Sequence, residues 1–104
     1  MNPAANPVRG EATLHVAGTP RLLRPTFAAL VAAEDELGSL FALVERAGAG
    51  ELRLSELATL FWHCLADRDR IGRDEVGDAI AALGFAACTR PLRILLEQIL
   101  KGSA

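Results

Sequence analysis

Three places in this sequence bring together side chains capable of chemistry. The first is Asp67-Arg68-Asp69-Arg70-Ile71-Gly72, running on to Asp78. Counted from Asp67, acids fall at positions 1, 3 and 12 and a glycine at position 6, the skeleton of a calcium-binding EF-hand loop. The detail does not fit. Position 5 is Ile71, which offers no side-chain oxygen, and position 12 is Asp78 instead of the longer, bidentate Glu. Arg68, Arg70 and Arg73 would crowd a dication, so the stretch reads as a solvated connector leading into a helix. The second place is Trp62-His63-Cys64. Neighbours on a helix point about 100° apart, so His63 and Cys64 cannot share one metal, and neither a CxxC nor an HxxxH spacing supplies further ligands. The third is Glu34, the one acid inside an apolar helical stripe. As a general base it would need a titratable companion, and none stands at a usable spacing. A carboxylate that reaches an arginine or the edge of the protein is the simpler reading. A phosphate-cradling glycine loop, GxSxG and HExxH are all missing. The expectation is a protein that is not an enzyme, with no catalytic residue, cofactor or metal.

The elements that would carry these residues emerge from periodicity. Residues 9–16 alternate, with Ala12, Leu14 and Val16 on one side and Glu11, Thr13 and His15 on the other, as in a half-buried strand. Ala17-Gly18-Thr19-Pro20 supplies a turn, and 21–24 reads as a short returning edge strand between prolines. Such a hairpin is marginal alone, so it must pack its apolar face on the helices C-terminal to it. Helical spacing then predicts helices over 26–37 (cap Thr26, stripe Phe27, Leu30, Val31, Leu37), 39–47 (cap Ser39) and 55–66 (cap Ser55, core Leu57, Leu60, Phe61, Cys64, Leu65). Two more are predicted over 73–83 and 89–100, the last with Thr89 as cap and Leu92, Leu95, Leu96, Ile99 and Leu100 on one face. Gly77, inside the fourth helix, suggests close approach of a neighbouring helix. The fold class is α+β: an N-terminal β-hairpin packed on a mainly α-helical bundle of four to five short helices. Residues 1–8 read as a flexible arm, 9–101 as one domain and 102–104 as a frayed end.

Composition narrows the function classes. One domain is the natural reading of 104 residues, and 51% are hydrophobic but only 5% aromatic, so the core is Leu/Ala-rich. Eleven basic residues nearly cancel thirteen acids and are scattered among them, which argues against a nucleic-acid face. Apolar runs are too short to span a membrane, and 1–8 lack the apolar stretch of a signal peptide. Cys64 and Cys88 sit in apolar helical stretches, as small hydrophobes in a reducing compartment, so a cytoplasmic protein is expected.

Asn6-Pro7-Val8-Arg9-Gly10-Glu11, then Leu14 with a turn at Gly18, then Leu23-Arg24-Pro25-Thr26-Phe27-Ala28-Ala29-Leu30, then Glu34 with Gly38, resemble the opening of the gene transfer agent tail-protein family, grouped with phage tail assembly chaperones. Pro25 stands where the family pattern has a non-proline residue. The stretch Leu57-Ala58-Thr59-Leu60-Phe61-Trp62-His63-Cys64-Leu65 is similar in kind. The resemblance implies a non-enzymatic protein of a phage-like or prophage-encoded particle. As a chaperone it would bind the tail tape-measure or tail-tube protein; as a structural component it would be a tube or adaptor subunit that stays in the particle. The residues expected to meet that partner are Phe61 and Trp62 on the third helix and Leu92, Leu96 and Leu100 on the last.

Overall fold

The computed structural model describes residues 11–101. The arm expected over 1–8 and the fraying over 102–104 lie outside the described residues. The chain forms a hairpin, β1 (Ala12–Val16) and β2 (Thr19–Leu23), then α1 (Phe27–Leu37), α2 (Leu40–Gly48), α3 (Leu54–Cys64), a 3-10 turn (Arg68–Arg70), α4 (Arg73–Leu83) and α5 (Phe85–Lys101). This is the expected α+β arrangement of a hairpin and five helices.

The hairpin turn is tighter than the sequence suggested. Only Ala17 and Gly18 lie between the strands, both with positive φ (52° and 81°), the signature of a type I′ turn. Pro20 therefore enters β2, opposite His15. The pair flanking a two-residue turn, Val16 and Thr19, exchanges both backbone bonds, and bonded pairs alternate from there. Pro20 thus occupies a non-bonded position, where its missing N–H costs the ladder nothing. Ala17 is the strained residue, because a side chain in the left-handed region crowds the following carbonyl. Ala17→Asn, which restores the preferred Asn-Gly pair, should raise the unfolding free energy by about 0.5–1 kcal/mol in urea titrations.

Ala12, Leu14 and Val16 are buried as the alternation required, and helices α4 and α5 pack over them. The hairpin is clasped from its other side. Arg24 N–H donates to Cys64 O (2.6 Å) and Ala66 N–H to Leu22 O (3.0 Å), with Leu23 facing Leu65 in an isolated antiparallel bridge. Leu23, Leu43, Leu60, Phe61, Leu65, Val76 and Leu95 form the fully buried centre.

Helix ends obey the caps with two exceptions. The Thr26 and Ser39 hydroxyls accept from Ala29 and Ala42 N–H, and Gly38 and Gly84 close α1 and α4 at positive φ. Helix α3 starts one residue early, at Leu54, with Glu56 Oε1 accepting the Arg53 N–H (3.0 Å) in place of a Ser55 cap. Helix α5 starts four residues before the expected Thr89 cap. Cys88, Pro91 and Leu95 lie on its buried face, so packing against the core holds the helix through Pro91, and Thr89 Oγ1 turns back to Phe85 O instead (3.1 Å).

The stripe of α1 is the clearest departure. Ala29 and Ala33 face the core, with Leu30 and Leu37 half-buried, while Phe27 is 84% exposed and Val31 is exposed too. Alanines let α1 lie close on α3, which turns the larger side chains outward. Gly77 does not mark a close approach either, since a Cβ built there meets nothing within 4 Å. It borders an open groove lined by Leu54, Ala58, Arg73 and Asp78. Gly77→Ala should then stabilise the protein by about 1 kcal/mol through helix propensity, read as a higher melting temperature.

Candidate binding surfaces on α3 and α5

The five residues expected to meet a partner do not form one surface. Phe61 is completely buried. Helix α3 is packed by α1 on one side and α4 on the other, so it has little free face and Phe61 falls on its covered one. Expected as a contact residue, Phe61 packs in the hydrophobic core of the described residues. Trp62 is half-buried at the start of α4, where its indole Nε1 donates to Ile71 O (2.7 Å). The Arg73 guanidinium lies over the indole ring, 4.5 Å from its centroid, and the His63 ring meets it edge-on at 4.9 Å.

Behind Trp62 lies a polar cluster that joins three helices. Glu36 of α1 accepts two bonds from Arg73 of α4 (2.5 and 2.6 Å) and also meets Nε2 of His63, which is buried on α3. The bidentate Arg73 guanidinium, with His63 after it, holds the Glu36 carboxyl down at about 2. Sequence periodicity sets Glu36 on the wet side and His63 on a flank. A pair 27 residues apart in the chain leaves no local signal. A second pair, Arg46 and Glu56 (2.8 and 2.5 Å), ties α2 to α3. The Arg46 guanidinium, then the Arg53 N–H, lower Glu56 to about 2.

On α5 the expected face divides. Leu95, Cys88 and Pro91 point into the core, Leu92 and Leu96 are half-buried, and Leu100 is 54% exposed. Leu92 joins Gly50, Leu52, Leu57 and Phe85 around an apolar cleft of about 170 Å³. Phe85, 64% exposed, stands at its rim. Phe85, Leu92, Leu96 and Leu100 are spaced to run along one side of α5, so the helix presents a half-covered apolar flank. Trp62, Leu96 and Leu100 are not among the cleft residues. In the sequence Phe85 is only an aromatic residue near a helix edge. Its part in the flank depends on α5 beginning at that residue.

The residues with chemical promise are occupied otherwise. Asp67 pairs with Arg21 (2.8 Å), and Asp78 lies inside α4. Among the described residues no group of three or more His, Cys, Asp and Glu is placed to hold a metal. Burial pushes the Cys64 thiol up to about 12, far from a nucleophilic thiolate, and raises Cys88 as well. Glu34 is exposed and its Oε2 accepts the Leu40 N–H (3.1 Å), so it caps the start of α2 and no arginine. No helix among the described residues is long and apolar enough to cross a membrane.

A hairpin clasped onto five helices, with ion pairs at the helix junctions and an apolar flank on the last helix, makes a small α+β domain. The chain belongs to the family described as phage tail tube protein, GTA-gp10, whose model matches residues 9–102. Neither a curated protein nor a solved structure matches it significantly. Membership places the chain among phage and gene transfer agent tail proteins, a structural family and not a known enzyme class.

Proposed function

We propose that this protein is a structural component of a phage-like tail, a tube or adaptor subunit that remains in the finished particle and works by protein–protein contact alone. The observation that carries this reading is the family match over nearly the whole chain. The apolar flank of α5 supports it, since exposed aromatic and leucine side chains beside a cleft are common anchors for a neighbouring protein. The other tail proteins are then its partners, and the particle its location. Quantitative mass spectrometry of purified particles tests this. The chain should be present at a fixed ratio to the other tail proteins, and its absence from particles would overturn the reading.

A second reading, a chaperone that keeps the tape-measure protein soluble before the tube forms, is favoured by one observation. The described residues hold only two short strands, little sheet from which to build a tube wall. It predicts that the tape-measure protein is soluble only when this chain is co-expressed, and that the chain is missing from particles. Under either reading Phe85→Asp and Leu100→Asp, both at exposed positions, should leave the fold intact and weaken partner capture by about tenfold or more in pull-down titrations.

A further inference from the structure

We infer that the outer edge of β1 is a self-pairing edge, at which a second copy of this chain joins antiparallel about a two-fold axis through Leu14. The inference does not rest on the tail reading and concerns the isolated chain. The alternation of bonded pairs from the turn leaves Thr13 and His15 at non-bonded positions opposite Leu22 and Pro20, so their N–H and C=O groups point away from β2. No backbone or side-chain group among the described residues bonds to them, and both residues are exposed. The sheet cannot grow on its other side. Pro20 has no N–H to offer, Leu22 O is taken by Ala66, Arg24 N–H by Cys64, and Arg21 is tied across to Asp67.

This edge, unpaired among the described residues, is complementary to itself. With Leu14 opposite Leu14 of the second copy, Thr13 faces His15 and His15 faces Thr13, the two positions whose backbone groups point outward. Four backbone hydrogen bonds close the pair, and Ala12 and Val16 meet on the core side. Residues 12–16 carry no Asp, Glu, Lys or Arg, so nothing repels, and the edge lacks the charge or proline with which exposed strands are usually blunted. Helix α5 packs on β1, so the joined copies set their two α5 helices over one four-stranded sheet.

The test is sedimentation equilibrium of the purified full chain over a concentration series. The wild type should show a monomer–dimer equilibrium. Thr13→Pro removes an outward donor without touching the β1–β2 ladder, deletes two of the four bonds and should weaken the dimer about 30-fold. Circular dichroism checks that the variant folds. Two charge variants read the register whatever becomes of the proline. Thr13→Lys with His15→Lys sets like charges opposite each other across the axis, whereas Thr13→Lys with His15→Glu sets opposite ones. Their dimer constants should differ by about tenfold, the second being tighter. A wild type that stays monomeric at every concentration, or a dimer equally strong in both charge variants, would overturn the inference.

Discussion

Replacing Phe61 by alanine should cost about 3–5 kcal/mol, more than any change on the surface of this protein. The side chain is fully buried among other fully buried residues, Leu23, Leu60, Leu65 and Leu95 among them in the same cluster. Truncation removes the ring's transfer free energy and leaves a cavity that a helix held on two sides cannot collapse to fill. Domains of this size are stable by only about 5–15 kcal/mol, so the variant should melt about 15–30 °C lower or be partly unfolded at room temperature. Trp62→Ala is the informative control. Half-exposed, it loses one hydrogen bond to Ile71 and the stacked Arg73, and should cost only about 1–2 kcal/mol. Urea titrations of both variants separate a core residue from its surface neighbour. Equal effects at the two positions would contradict the burial described for α3.

The second large effect is an acid transition. Glu36 and Glu56 are each held at about 2 in the fold against an ordinary 4.5. Their folded-state values are depressed, so the stability they contribute is fully present above the ordinary value and is lost as pH falls from about 4.5 toward 2. The urea midpoint should fall as the pH drops below about 4.5. Glu36→Gln and Glu56→Gln should lower the plateau and flatten the slope, each removing its own share. Added salt should shrink the effect, because both pairs lie near the surface. A midpoint that does not change between about pH 5 and 2 would show that neither carboxylate is held as described.

What could be read from the sequence was whatever depends on near neighbours. The alternation at Ala12, Leu14 and Val16, the caps at Thr26 and Ser39 and the ends of α1 at Leu37 and α4 at Leu83 were all legible, because each is decided within a few residues. Three features were not. The apolar spacing of α1 selects Phe27 and Val31, yet the burial of Ala29 and Ala33 depends on how closely α3 approaches, a fact of tertiary packing. Cap and proline rules set the start of α5 at Thr89, and the burial of Cys88 and Pro91 against the core, which depends on tertiary packing, overrides them. The joining of Glu36, His63 and Arg73 requires three helices to meet. The expected partner surface divides for the same reason: Phe61 and Trp62 are adjacent in sequence, but the helices beside α3 cover the first and leave part of the second open.

The backbone clasp between residues 22–24 and 64–66 bears on when the protein can fold. A two-stranded hairpin does not persist in water, and β2 finds its second backbone partner only at Cys64 and Ala66, about forty positions later. As the chain leaves the ribosome, its first element must therefore wait for the middle of its sequence, and the non-local closure makes assembly slower than that of a purely helical bundle of the same size. The amide protons of Arg24 and Ala66 sit on this closure. They should exchange with solvent only in molecules that have unfolded altogether, while those of Thr13 and His15 exchange quickly in the folded monomer.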